Sequence, residues 1–130
     1  MMKISLKDGT RCGSKVEAWF YLAYKNQGLE FLHNGRYGGL GKRGWCRYDF
    51  FFPRTNTYVE VTGYDGTQNH VWPIYMKKIE KKRRFVEDQL GARFQFVSHP
   101  ITLAEKRYVE SHMVNSHRVL NKPLDVLRAS

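Results

Sequence analysis

The hydrophobic positions near the start of the chain recur at helical spacing. Four apolar residues stand at positions i, i+3, i+4 and i+7: Val16, Trp19, Phe20 and Ala23. Ser14 is a favoured helix-capping residue, and Gly28 is of the type that commonly follows a helix end. The spacing therefore predicts a helix from residue 14 to about residue 27.

Runs of β-branched and aromatic residues predict four strands. They cover residues 29–33, 45–52, 57–63 and 93–98. Residues 53–56 are rich in turn-forming types, so the second and third strands are predicted to form a hairpin.

Two further helices are predicted in the second half of the chain. One covers about 74–90, with Pro73 at its first position and Gly91 as its stop. The other covers about 103–113. The order helix, three strands, helix, strand, helix predicts an α/β fold with a mixed central sheet flanked by helices.

The length of the chain predicts one domain. Its 130 residues suffice for a single hydrophobic core. We expect a core over about 14–98 and a helical C-terminal extension over about 101–130.

The charge balance indicates a polyanionic partner. The chain has 22 Lys and Arg against 12 Asp and Glu, a formal charge of +10. Its 42% apolar and 15% aromatic content excludes a disordered basic tail, so a folded nucleic-acid-binding domain is the first expectation.

Neither a membrane span nor a secretory signal is evident in the sequence. Both would require an apolar stretch that this sequence lacks, so we expect no membrane partner and a cytoplasmic location, that of the host cell if the protein is viral.

Cys12 and Cys46 form no CxxC pair and are expected to be free thiols. The five histidines show no zinc-hydrolase spacing, and His70 follows the predicted hairpin either as a surface residue or within reach of a phosphate.

Two acidic residues occupy matching places on the predicted hairpin. The numbers of Asp49 and Glu60 sum to 109, so a turn centred between Arg54 and Thr55 places them directly opposite each other. Like charges at that spacing destabilise a sheet unless they are compensated. Both could point to solvent, but the aromatic and apolar residues around them favour burial, and a hard cation such as Mg²⁺ is a natural partner for buried carboxylates.

Several segments resemble the core of the PD-(D/E)XK nuclease superfamily. They are Asp49-Phe-Phe-Phe-Pro, Tyr58-Val-Glu-Val-Thr-Gly63, a Lys-rich helix after Tyr75, and Phe94-Gln-Phe-Val-Ser98. The resemblance spans about 14–98 and implies a restriction-endonuclease-like core. It further implies that Glu17, Asp49 and Glu60 bind Mg²⁺, with Mn²⁺ as a substitute, and activate water for phosphodiester cleavage. Glu17 also completes a possible capping box with Ser14, which is the structural alternative.

The chain departs from the family pattern at Thr62, where Glu-x-Lys would have its lysine. In some members of the family that lysine lies on the following helix. With Ile79 at the centre of the buried face, Lys82 lies about 60° away and Lys81 about 160° away. Lys82 is therefore the expected replacement, and Lys78 is the second candidate.

Basic residues on this helix and in a glycine-rich loop are the predicted contacts to nucleic acid. They are Lys78, Arg83, Arg84, Arg36, Lys42 and Arg43. A solvated basic helix face and a plain mobile loop are the alternatives. The loop contains the letters G-x-G-x-x-G but precedes a strand, so it is not a dinucleotide-binding turn.

These features predict a Mg²⁺-dependent endonuclease acting on DNA. A small domain has little surface for reading base edges, and the chain also resembles small resolvases of the same superfamily. A Holliday junction resolvase of phage or archaeal type, active as a homodimer, is the specific expectation. A restriction or homing-type endonuclease of the same fold, or a nucleic-acid-binding protein that has lost catalysis, are the alternatives.

Overall fold

A computed structural model of the protein describes residues 3–37 and 47–114. The elements follow in this order: β1 (Ile4–Ser5), β2 (Arg11–Cys12), α1 (Lys15–Asn26), β3 (Leu32–His33), β4 (Phe50–Phe52), β5 (Thr57–Thr62), α2 (Val71–Arg84), a π-helical turn (Phe85–Gln89), β6 (Arg93–Ser98) and α3 (Leu103–Ser111). None of the described helices combines the length and the apolar character that a membrane span needs.

The predicted α/β architecture with a mixed sheet is confirmed. The main sheet has the strand order β3-β4-β5-β6. Its first three strands are antiparallel, and β6 runs parallel to β5. Two parallel neighbours need a crossover connection, which α2 supplies. The short hairpin β1-β2 was not predicted, because strands of two residues show no measurable alternation.

The first helix forms where the sequence predicts it. Ser14 caps α1 by accepting a hydrogen bond from the Glu17 amide at 3.1 Å. Beyond the C-cap, Gly28 adopts φ 72°, a left-handed conformation that glycine takes without strain. The second half of the predicted capping box differs: the Glu17 carboxylate accepts from the Gly13 amide rather than from that of Ser14.

The second helix begins earlier and ends differently from the prediction. It starts at Val71, so Pro73 is the third helical residue and not the first. The first-turn amides have no partner within a helix, and proline is therefore tolerated at any of these positions. From Phe85 the chain continues as a π-helical turn, closed by the Leu90 amide on the Phe85 carbonyl at 3.2 Å.

Other element boundaries shrink relative to the prediction. The first predicted strand is reduced to Leu32–His33, and within the described part of the second, residues 47–52, the strand is Phe50–Phe52. The third helix ends at Ser111. An isolated bridge joins Arg36 to Arg47 next to the shortened strands. The predicted nucleic-acid contacts Lys42 and Arg43, and the extension beyond residue 114, lie outside the described residues.

Alternation along β5 divides its side chains between two packed faces. Val59 and Val61 join the core cluster that contains Val16, Ala18 and Leu22 of α1. Tyr58 lies on the opposite face, in an aromatic cluster with Val86. Glu60 and Thr62 share the Tyr58 face, because side chains two residues apart on a strand point the same way. This is the face that α2 covers.

Candidate active site

The hairpin places Asp49 and Glu60 opposite each other. In the observed register Phe50 pairs with Val59, and Phe51 pairs with Tyr58. The residue numbers of each pair sum to 109, as predicted. The next pair away from the turn therefore consists of Asp49 and Glu60. The turn that sets this register contains Asn56 at φ 52°, a conformation that Asn tolerates better than most residues.

The two carboxylates are held by the backbone of the opposite arm. Asp49 Oδ2 accepts a hydrogen bond from the Val61 amide at 2.9 Å. Glu60 Oε2 accepts one from the Asp49 amide at 3.2 Å. These bonds fix both side chains on the α2 face of the sheet, where Glu60 is 4% exposed.

Lys82 reaches this pair from α2. Lys82 Nζ lies 3.0 Å from Glu60 Oε1, and Lys82 is 7% exposed. It shares the inward stripe of the helix with Ile79, whereas Lys81 is exposed. The direction predicted for Lys82 from the helical wheel is therefore correct, and its chemical role stays a prediction.

The site contains more negative than positive charge. Burial raises the pKa of Asp49 well above its ordinary value, and the charges of Glu60 and Glu17 raise it further. Burial also raises the pKa of Glu60, but Lys82 opposes that shift. Two carboxylates share one ammonium group, so a proton or a second cation is needed to neutralise the pair.

Thr62 is buried and stands where the resemblance to the nuclease superfamily would place a lysine. Its hydroxyl accepts a hydrogen bond from the Tyr64 amide at 3.2 Å, and its side chain opposes the rise in the pKa of the neighbouring Tyr75. Burial raises the pKa of Tyr75 to about 12, so its phenol stays neutral. The threonine thus supplies packing and hydrogen bonds where the family pattern has a charge.

A cleft of about 1030 Å³ opens beside Thr62, two residues beyond Glu60 on the same strand face. Residues of the start of α1, the end of β5 and the first turns of α2 line it, among them Glu17, His70, Ile74 and Lys78. Ile74 is 72% exposed there. The cleft therefore provides an open surface next to the carboxylate pair, although Asp49 and Glu60 themselves are not among its lining residues.

The remaining basic candidates lie at the surface. Lys78 is exposed and lines the cleft. Arg83 and Arg84 both contact Glu80, at 2.8 and 3.4 Å, and Arg84 is the more exposed of the two. Arg36 is exposed beside the segment that lies outside the described residues.

The structure places Glu17 with residues that the sequence analysis did not connect to it. Its Oε1 accepts from the Gly13 amide at 3.2 Å, and its Oε2 lies 2.5 Å from His33 Nε2. The thiol of Cys12 lies 3.9 Å from the same nitrogen. No spacing rule relates positions 12, 17 and 33, because turns separate them along the chain, so this grouping was missed.

The electrostatic influence of Glu17 nevertheless reaches the hairpin pair. Its charge contributes to the raised pKa values of Asp49 and Glu60, after the effect of burial. Within the described ranges, the group of three potential ligand atoms that lie within 4.8 Å of one another is Cys12, Glu17 and His33. Glu17 is therefore near the pair but is not brought together with both of its members.

A buried phenol is a second feature that the sequence analysis missed. Tyr37 is 1% exposed, and its hydroxyl has no hydrogen-bond partner among the residues that the structure describes. Burial raises its pKa, and the charges of Glu60 and Asp49 raise it further. A neutral donor thus lies within the electrostatic range of the carboxylate pair.

We expect Asp49→Asn to stabilise the metal-free protein. A carboxyl whose folded-state pKa is raised favours folding only while it is protonated, so stability falls as pH rises above the unfolded-state value. The variant removes that penalty and keeps an oxygen for the Val61 amide. Relief of a like-charge pair on the order of 1 kcal/mol would raise Tm by roughly 3 to 5 °C, with the gain vanishing in acid. Thermal unfolding with EDTA across the acidic to neutral range measures it.

Glu60→Gln serves as the contrasting variant in that experiment. It leaves the buried Lys82 ammonium without its carboxylate, so it should destabilise the protein although it too removes a negative charge. Equal Tm changes in the two variants would contradict the assigned ion pair.

No protein-family model matches this chain, and neither the search of curated proteins nor that of solved structures found a match. A functional proposal therefore rests on the chain's own residues.

Proposed function

We propose that the protein is a Mg²⁺-dependent endodeoxyribonuclease. The observation that carries the proposal is the buried pair of opposed carboxylates, Asp49 and Glu60, with Lys82 Nζ 3.0 Å from Glu60 Oε1. Acidic oxygens that could hold a hard cation, together with a fixed ammonium group, are the parts that phosphodiester hydrolysis requires.

The order of elements supports the same reading. A helix bearing Glu17 precedes the hairpin with Asp49 and Glu60, and a basic helix then supplies Lys82 before the parallel strand β6. This is the order implied by the resemblance to the PD-(D/E)XK superfamily, with Thr62 as the departure.

The donor set fits Mg²⁺. Carboxylate oxygens are the ligands that this cation prefers, and the pair has one negative charge beyond what Lys82 neutralises. Among the hydrogen bonds of the described residues, Asp49 uses Oδ2, which leaves Oδ1 for a cation. Asp49 and Glu60 would hold Mg²⁺ or Mn²⁺, and Glu17 would act through water. When bound, the cation would polarise the phosphoryl oxygens and favour ionisation of the attacking water.

The protein's own groups would then position and stabilise the phosphate. Lys82 keeps a buried positive charge beside Glu60, where negative charge develops during cleavage. The Tyr37 hydroxyl is a neutral donor without a partner among the described residues. Both groups are fixed by packing before substrate arrives, so little reorganisation is needed.

DNA would approach over α2 and the adjoining cleft. Lys77, Lys78, Lys81 and Arg84 are exposed on this helix. Together with the formal charge of +10, they favour phosphate binding that is independent of sequence. Because such binding does not read the base sequence, recognition would depend on the shape of the DNA. We propose a Holliday junction resolvase that cuts as a homodimer. A restriction or homing-type endonuclease is the enzymatic alternative.

Incubation with a labelled four-way junction, duplex DNA and single-stranded DNA tests the proposal. Cleavage is expected with Mg²⁺ or Mn²⁺ and not with EDTA, and the junction should be cut symmetrically at the lowest protein concentration. Preferred cutting of duplex at defined sequences would favour the restriction or homing-type alternative. Absence of cleavage on every substrate with both metals would overturn the nuclease.

A binding protein without catalysis is the second candidate, and Thr62 favours it. This residue accepts a hydrogen bond from the Tyr64 amide, and Lys82 is already paired with Glu60. Binding that persists in EDTA, with no cut on any substrate, would support this reading.

A further inference from the structure

We propose that Cys12, Glu17 and His33 form a second metal centre, selective for Zn²⁺ or a similar borderline divalent cation. It goes beyond the proposed nuclease, since neither Asp49 nor Glu60 takes part and neither Cys12 nor His33 has a role there; Glu17 is the one residue that both proposals use. The three potential ligand atoms, a thiol sulfur, a carboxylate oxygen and an imidazole nitrogen, all lie within 4.8 Å of one another.

Three separate elements bring these side chains together. Cys12 ends β2, Glu17 lies in the first turn of α1, and His33 ends β3. Cys12 is fully buried, and the side chains of Glu17 and His33 are 11% and 10% exposed. The convergence of a sulfur, an oxygen and a nitrogen at one buried point distinguishes this group from a solvated acidic patch.

The surroundings orient the ligand atoms. The Gly13 amide holds Glu17 Oε1 at 3.2 Å, which directs Oε2 toward His33. The imidazole of His33 packs between the rings of Tyr21 and Phe50, each with its centroid 5.2 Å away. Such outer contacts fix ligand orientation in metal sites.

The chemistry of the set selects the metal. A thiolate and a carboxylate carry two negative charges, which a divalent cation balances, and neutral imidazole is the third ligand. Sulfur and nitrogen favour Zn²⁺ over Mg²⁺, which prefers oxygen throughout. Three protein ligands leave one tetrahedral position open to water or substrate.

Shifts on the order of 1 Å are needed to close the site. Zinc–ligand lengths of about 2.0 to 2.3 Å imply separations between ligand atoms of roughly 3.3 to 3.6 Å in a tetrahedral arrangement. The Cys12–His33 distance of 3.9 Å must shorten slightly, and the Glu17–His33 distance of 2.5 Å must widen as the hydrogen bond gives way to the metal.

The cleft reaches one member of the group. Glu17 and Gly13 both line the cleft of about 1030 Å³ beside Thr62. A hydrated cation could therefore approach the group from the side of Glu17.

Titration of the metal-free protein with Co²⁺ tests the proposal, because cobalt replaces zinc and its bond to thiolate absorbs in the near ultraviolet. We expect one cobalt ion per chain with this absorption, release of the thiol proton into weakly buffered solution, and loss of the band when Zn²⁺ is added. Cys12→Ser should abolish the band, and His33→Gln should weaken cobalt binding by about 10-fold or more. Cys46→Ser is the matched control and should leave the band unchanged.

The test separates this centre from the nuclease site. Asp49→Asn should keep the cobalt–thiolate band whether or not the wild type cleaves DNA. Absence of the band in the wild type, its survival in Cys12→Ser, or its loss in Cys46→Ser would overturn the proposal. If Cys12→Ser does not fold, the cobalt titrations of His33→Gln and Cys46→Ser decide the question, and an undiminished cobalt affinity in His33→Gln rejects the site.

Discussion

Asp49→Asn should reduce the rate of DNA cleavage by more than about 100-fold while binding stays equal or becomes tighter. Loss of an outer-shell partner already costs metal sites about 10- to 100-fold, and Asp49 is proposed as a direct ligand. The substitution keeps the side-chain oxygen that accepts from Val61, so the hairpin should remain intact. Removal of a negative charge also eases the approach of phosphate.

Single-turnover cleavage at saturating protein measures this effect, with binding followed separately in EDTA. Asp88→Asn is the matched control, because Asp88 is exposed in the π-helical turn. This variant should cleave DNA at the wild-type rate. Cleavage by Asp49→Asn at the wild-type rate would remove Asp49 from the metal site. Loss of both cleavage and binding would point instead to a damaged fold.

The hairpin was predictable because its register depends on local features. Turn residues and strand alternation between positions 49 and 60 are enough to fix which side chains oppose each other, and the observed pairing sums to 109 as expected. The inward direction of Lys82 was predictable for a similar reason. Helical periodicity relates it to Ile79 and Val86, whose burial marks the inner face of the helix.

The Cys12, Glu17 and His33 group was not predictable, because it depends on tertiary packing. The short hairpin that positions Cys12 and the two-residue strand that ends at His33 are too brief to leave a hydrophobic period in the sequence. The start of α2 was misplaced for a different reason. Proline is compatible with several first-turn positions, so Pro73 limits where the helix begins without fixing the residue.

The aromatic packing around the site explains how a small domain can keep charged groups buried. Tyr37, Tyr48 and Tyr58 lie in mutual contact, with ring centroids 5.0 to 5.7 Å apart. They cover the α2 side of the hairpin next to the carboxylate pair. Exclusion of water strengthens the interaction of Lys82 with Glu60, and it also makes an uncompensated Asp49 costly. The same packing that stabilises the fold therefore creates the need for a proton or a second cation at the pair.

Lys82→Ala should reduce cleavage by about 100-fold or more, and Lys81→Ala should change it little. Loss of one fixed charge that stabilises the transition state typically costs this much. Lys82 is buried against Glu60, whereas Lys81 is exposed, so the two neighbours provide a matched pair on one helix. Lys82→Met, which keeps most of the side-chain volume, separates loss of charge from loss of packing and should be as inactive as Lys82→Ala.

The pattern across three lysines discriminates among the possible roles. Lys78→Ala should weaken DNA binding in a salt-dependent manner without a comparable loss of single-turnover rate, because Lys78 lines the open cleft. A large loss of rate in Lys78→Ala, together with an active Lys82→Ala, would assign the role of the motif lysine to Lys78, one turn nearer the start of α2.

If the wild type is inactive with Mg²⁺ and Mn²⁺ on every DNA, Lys82 serves only to neutralise Glu60. Thr62 then marks an active site that has been lost, and Lys82→Met should lower stability without affecting DNA affinity.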